Sequence, residues 1–138
     1  MPTGIDLILA DHQTVNTLFD QFETDPSGVG VGLIIAALKA HDEAEQAALY
    51  PFAGAVLGEL SLIDRSAAAH AAIKKQIDLI ATLEGPPLVA AVGVLRQFVT
   101  KHVTDEETNL LPKLAAQATP EQLDALGARL IQAKHRGG

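Results

Sequence analysis

The chain has 138 residues, 17 acidic and 10 basic, for a formal net charge of −7. That length suits one domain with a real hydrophobic core, and the acidic balance gives no reason to expect a nucleic-acid partner. The lack of cysteine excludes disulfides, thiolate nucleophiles and iron–sulfur or zinc-thiolate sites.

Alanine and leucine are plentiful and aromatic residues scarce, which favours helices over a sheet. Leu7, Ile8, Val15, Leu18, Phe19 and Phe22 recur at helical spacing and predict a first helix from Ile5 to about Phe22. Glu23 to Gly28 is a predicted turn built on Asp25-Pro26-Ser27-Gly28. A second helix starts near Ser27 or Gly28 and runs to about Leu49, with Pro51 and Gly54 punctuating the next junction. A third runs from about Pro51 or Ala53 to Leu83, where Gly85-Pro86-Pro87 stops it. A fourth runs from Pro87 or Leu88 to about Leu111, and Pro112 ends or kinks it. Thr119-Pro120-Glu121-Gln122 supplies a cap, a first-position proline and a glutamine three residues past the cap. A short last helix therefore runs to about Lys134, before a frayed Gly137-Gly138 end. The expectation is an all-α, up-down-up-down four-helix bundle with a short C-terminal fifth helix, residues 1–138 forming a single domain.

Ahead of Asp6 and Asp11 there is no basic segment leading into an apolar stretch, so no signal peptide is read and a cytoplasmic location is expected. Apolar runs such as Val29 to Leu38 are too short to span a membrane.

Four of the five histidines fall into two matching blocks. His12 is followed by His41 with Glu45 four residues on; His70 is followed by His102 with Glu106 four residues on. Positions i and i+4 share a helix face. In the second helix Ile34, Leu38, His41, Glu45 and Ala48 form one stripe. In the fourth, Leu95, Phe98, Val99, His102, Glu106 and Leu110 form another. His12 joins Ile8, Val15 and Phe19; His70 joins Ile63, Ala67, Ile73 and Ile77. All four histidines thus lie on predicted inward faces at similar depth. Uncompensated carboxylates in a core are costly, and metal ions would supply the compensating charge. One such histidine alone is more often a hydrogen-bonded core residue, and one His-x-x-x-Glu more often a simple helical pair. The duplicated order carries the metal reading.

The pattern of His12, His41-Asp42-Glu43-Ala44-Glu45, His70 and His102-Val103-Thr104-Asp105-Glu106, with followers Leu49-Tyr50-Pro51 and Leu110-Leu111-Pro112, resembles the hemerythrin-like family, also called the HHE cation-binding domain. The likeness runs from the first helix to the end of the fourth. It implies a four-helix bundle holding two non-haem iron ions (Fe2+/Fe3+), oxo- or hydroxo-bridged and bridged also by two carboxylates. Under it, His12 and His41 bind one iron, His70 and His102 the other, and Glu45 and Glu106 bridge. One position departs. Oxygen-carrying members add a histidine one turn after the third-helix ligand, where this chain has Lys74, a poor ligand while protonated. Glu43, Tyr50 and Asp78 are candidates to fill the gap. Tyr50 could equally cap the junction after the second helix, and Lys74 could pair with Asp78 at the rim.

Four imidazoles and two carboxylates suit iron better than calcium or magnesium, with zinc or manganese open. Iron with an open position suits dioxygen or hydrogen peroxide as partner, in oxygen binding or sensing, while the resemblance itself does not choose among outcomes, since members of the family differ. Catalase-like peroxide decomposition or nitric oxide chemistry is the alternative, favoured by the position left free at Lys74; iron storage or sensing is a third, and a purely structural metal or a dead site a fourth. No membrane partner is expected, and no protein partner is legible. A ferritin-like oxidase would need more carboxylates. Ser27, Ser61 and Ser66 show no convergent partners for nucleophilic chemistry. Gly28-Val29-Gly30-Val31-Gly32 lacks the strand and Gly-Lys-Ser/Thr ending of a phosphate loop and reads as thinning for close packing or ligand entry. His135 reads as an exposed non-ligand, and Arg65, Lys75 and Arg96 as solvated surface groups.

Overall fold

A computed structural model describes residues 2–137 of the chain, with side chains to His135. Gly138 of the expected frayed end lies outside the described residues. Among the described residues five helices follow one another. Helix α1 covers Gly4–Thr24. Helix α2 joins Gly28–Ala44, a wide π-turn at Glu45–Leu49, and Tyr50–Leu57. Helix α3 is Leu60–Ile80. Helix α4 joins Gly85–Asp105, a second π-turn at Glu106–Leu110, and Leu111–Gln117. Helix α5 is Pro120–Gly137. The first four run up-down-up-down, and α5 packs across α1 and α2.

The ends follow from local chemistry. Thr3 and Asp6 form a reciprocal capping box on α1, at 3.2 and 2.9 Å. Ser27 accepts from the Gly30 amide at the start of α2. Thr119 and Gln122 make the box expected for α5, at 3.1 and 2.8 Å. Pro86 and Pro87 sit in the first turn of α4, where a missing N–H breaks no bond.

The second junction differs from expectation. Helix α2 continues through Pro51 and Gly54 to Leu57, and the chain turns at Gly58, whose φ of 67° is left-handed backbone. Helix α4 likewise continues through Pro112. The π-turns explain both. The Tyr50 amide reaches back five residues to the Glu45 carbonyl, and Leu111 does the same to Glu106. Each proline then follows a widened turn, where its ring is not driven into the carbonyl four residues earlier.

The core is split in two. At the α5 end Ile8, Leu49, Phe52, Leu110, Leu114 and Leu126 pack together. At the other end Phe19, Ile34, Leu38, Ile77, Leu95 and Val99 do so. Each fully buried side chain of this size contributes about 1.5–3 kcal/mol. Between the two lies a layer of buried histidine and glutamate. Two stripe members depart from the reading: Phe98 is 38% exposed, and Ala67 faces solvent. Gly28 and Gly32 have no neighbour where a side chain would go, and only at Gly30 would an added Cβ meet Phe22 and Ser27, at 3.4 Å, so close packing bears on Gly30 alone. Arg65 and Arg96 are not merely solvated. Arg65 makes a bidentate pair with Asp105 at 2.7 and 2.9 Å. Arg96 bonds Asn16, Asp20 and Glu23 across α1–α4 and lies over the Phe19 ring.

Candidate metal centre

The six residues His12, His41, Glu45, His70, His102 and Glu106 are all buried and come from four helices. They form two groups. His12, His41, Glu45 and Glu106 offer ligand atoms within 4.8 Å of one another, and so do Glu45, His70, His102 and Glu106. Glu45 and Glu106 belong to both. Each begins a π-turn, a local widening frequent at functional sites.

The donor atoms fit a pair of cations. Glu45 and Glu106 are at most 1% exposed. The Nε2 atoms of His12, His41 and His102, Oε2 of Glu45 and Oε1 of Glu106 are buried with no hydrogen-bond partner. His12 Nε2 approaches Glu106 Oε1 at 3.2 Å, and His41 Nε2 approaches Glu45 Oε2 at 3.2 Å, without hydrogen-bond alignment. Buried polar atoms left unpaired are costly, and a cation held between them would relieve every one of these five. The mixed nitrogen and carboxylate set suits a transition metal over calcium or magnesium.

An outer ring of acids orients the imidazoles. His41 Nδ1 bonds Asp11 at 2.8 Å, His12 Nδ1 bonds Glu107 at 2.6 Å, and His70 Nδ1 bonds Asp42. Each bond turns Nε2 inward and fixes the tautomer that can ligate. Asp11 also bonds Lys134 of α5. Sequence reasoning missed these acids, although each is the chain neighbour of a site residue. His102 Nδ1 has no partner among the described residues.

The electrostatics follow from this packing. Burial opposes charge on His41, but the Glu45 carboxylate and the Asp11 hydrogen bond outweigh it and raise the pKa to about 10. Burial opposes charge on His102 as well, and Glu106 and Glu45 raise it to about 9. Burial pushes the Glu45 carboxyl up, yet the His41 charge and hydrogen bonds from its neighbours hold it well below the usual range.

Tyr50 answers one open question. It lies inside α2 and caps no junction. Its hydroxyl is 2.6 Å from His70 Nε2, 3.1 Å from Glu45 Oε1 and 3.3 Å from Glu106 Oε2. Burial pushes the phenol pKa upward, and both glutamates add to the shift. Ser66 is buried on α3. The other candidates, Glu43, Lys74 and Asp78, are exposed at the edge of a cavity over the histidines, and no ion pair joins Lys74 to Asp78 among the described residues. At the position matching Tyr50, the other half of the chain has Leu111. His135 is exposed on α5. Among the described residues no helix is long and apolar enough to cross a membrane.

Comparison with known proteins agrees with this geometry. Residues 3–114 match the family described as hemerythrin HHE cation binding domain. The fold is similar to the crystal structure of a hemerythrin HHE cation-binding domain-containing protein from Mycobacterium kansasii. That match has a TM-score of 0.86 at 18% identity and covers 99% of this chain and 88% of the other. In sequence the chain is similar to a protein named DNA nickase from Nostoc sp. (strain PCC 7120), 30% identical over 140 residues. That match takes in 95% of this chain but 39% of the relative, so the chain spans about two fifths of that protein's length. Two His/Glu clusters sharing their carboxylates are arranged as in the diiron sites of the hemerythrin fold, consistent with two bridged iron ions.

Proposed function

This chain belongs to the hemerythrin HHE cation-binding domain family, and from that premise we propose that residues 1–138 act as one diiron domain that binds dioxygen or a peroxide, in oxygen binding or sensing. The supporting observation is the pair of clusters sharing Glu45 and Glu106, with five inward donor atoms unpaired. In this reading His12 and His41 would hold one iron and His70 and His102 the other, with Glu45 and Glu106 shared by both groups. Tyr50 would supply a further oxygen donor to the second position, its hydroxyl lying beside His70 Nε2.

Iron bound there supplies redox change and Lewis acidity. The protein's own groups do the rest. Asp11, Asp42 and Glu107 hold three imidazoles with Nε2 inward. Val15, Leu38, Ile73, Ile77 and Val99 wall the histidines with apolar surface, which lowers the local dielectric and strengthens electrostatics at the centre. Tyr50 keeps its proton in the metal-free protein and donates it toward the glutamates.

A second reading, peroxide decomposition, is favoured by the cavity that leads from solvent to all four histidines. DNA is not proposed as a partner: the name nickase belongs to a relative far longer than this chain, and the net charge here is −7. A cytoplasmic location fits both readings.

Metal analysis and an absorption spectrum test the proposal, repeated after anaerobic reduction and then exposure to air and to hydrogen peroxide. Two irons per chain and a stable new spectrum in air support binding or sensing. Rapid peroxide loss with oxygen release supports the second reading. Zinc, or no metal after iron supplementation, overturns both.

A further inference from the structure

The buried histidines floor a cavity much larger than a diatomic ligand needs. It encloses about 310 Å³, whereas one water takes on the order of 30 Å³ and an apolar cavity of about 150 Å³ accommodates benzene. An aromatic or branched-alkyl group of roughly ten heavy atoms therefore fits. The floor is His12, His41, His70 and His102. Apart from the acids Asp42, Glu43 and Asp78, which also line the cavity, the walls are Val15, Leu38, Ile73, Ile77 and Val99, from all four bundle helices. None of these wall side chains can donate or accept a hydrogen bond. The cavity opens between α2 and α3, beside Lys39 and Lys74. Lys74 stands one turn after His70, is exposed and lines the rim of the cavity, where an imidazole would reach the floor.

A ligand that matches this shape is polar at one end and apolar over the rest of its surface. Its polar end meets two clusters set side by side through Glu45 and Glu106. An alcohol offers one oxygen to that floor. A hydroperoxide offers two adjacent ones, matching two adjacent positions.

We propose that this cavity is a binding site for an organic hydroperoxide with a compact apolar group, its two oxygens at the histidine floor and the apolar group against the valine, leucine and isoleucine walls. The oxygen end rests on the diiron reading; the apolar end rests on the cavity alone.

The test uses cumene hydroperoxide and 2-phenyl-2-propanol, the alcohol with the same apolar group and no O–O bond. In the iron-loaded protein, azide reports access to the metals by its absorbance change. Saturating alcohol is expected to weaken apparent azide binding tenfold or more. In the metal-free protein, where neither compound is turned over, both are expected to shift the methyl resonances of Ile73, Ile77 and Val99 and to compete with each other. Ile77→Phe, and Val15→Phe as a second filling variant, are expected to lose organic binding at least tenfold while azide still perturbs the iron spectrum. Azide binding that ignores the alcohol, with no methyl shifts at millimolar probe, overturns the proposal and leaves the diiron reading standing. Filling variants that fold, by circular dichroism, and bind the alcohol as the parent does also overturn it. Failure to load iron overturns the diiron reading instead, and the methyl shifts in the metal-free protein then decide the cavity by themselves.

Discussion

Replacing Asp42 and Asp11 one at a time with alanine separates the two metal positions. Asp42 accepts from His70 Nδ1, and Asp11 from His41 Nδ1 at 2.8 Å. Neither acid touches an inward donor atom, so each acts through one imidazole on one position. Loss of such an outer partner lowers metal affinity by about 10- to 100-fold, or about 1.4–2.7 kcal/mol. The Asp42 side chain is 33% exposed and the Asp11 side chain 21%. Solvent screens Asp42 more, which puts Asp42→Ala near the tenfold end. Asp11 is better buried but shares its charge with Lys134, and loss of that surface pair costs at most about 1 kcal/mol of fold stability. Anaerobic ferrous titration against a competing chelator reads the two affinities. Asp42→Ala is expected to weaken the His70/His102 position, Asp11→Ala the His12/His41 position, and each to leave one position near the parental value. Equal weakening of both positions by either variant, or parental affinity throughout, refutes the outer-ring reasoning.

Metal uptake near neutral pH is expected to release protons, because His41 and His102 titrate at about 10 and about 9 in the metal-free protein and must be neutral to ligate; calorimetry in buffers of different ionisation enthalpy counts them. The same shifts set the sign for stability. Both folded values lie above the ordinary 6.5, so their stabilisation is present below that pH and is lost as pH rises through about 9–10. The metal-free protein is therefore expected to melt at lower temperature as pH rises from 6.5 to 10, and a rising melting point contradicts it. Gly4→Ala places a methyl on the buried side chain of Leu126; overpacking of about 1–3 kcal/mol exceeds the helix-propensity gain of about 1 kcal/mol, and urea unfolding is expected to show a net loss. Tyr50→Phe keeps the ring and removes the hydroxyl beside His70. It is expected to weaken the second position selectively and to remove any visible absorption that a phenolate gives the iron-loaded protein, while an unchanged spectrum rules Tyr50 out as a donor.

Much of this was legible because helical faces repeat. The stripe Ile34, Leu38, His41, Glu45 and Ala48 is buried as its spacing requires, and the six site residues meet where four such stripes cross. The misplaced junction has one cause. Proline at 51 and glycine at 54 look like a stop to any reading that assumes 3.6 residues per turn, and a π-turn breaks that assumption. The outer acids were hidden differently. Asp11 stands beside His12 in the chain but serves His41, and Asp42 stands beside His41 but serves His70. Such cross-helix pairing exists only once the bundle closes. Phe98 extends an apolar stripe yet stays partly in solvent, since spacing gives direction but not the reach of the facing helix. Arg96 reads as a surface charge until α1 brings Asn16, Asp20 and Glu23 to it.

The polar layer between the two apolar clusters makes the bundle two cooperative blocks joined at a seam. Leu49, Leu114 and Leu126 anchor the block that α5 closes, and Phe19, Ile34 and Leu95 anchor the other. Apolar burial cannot bridge the seam, since the residues there are histidine and glutamate. Ions at that level would act as rivets, tying all four helices at mid-height and forcing both blocks to open together. Without them, amide exchange can proceed through one block while the other stays protected. Metal loading is thus expected to turn two separable openings into one.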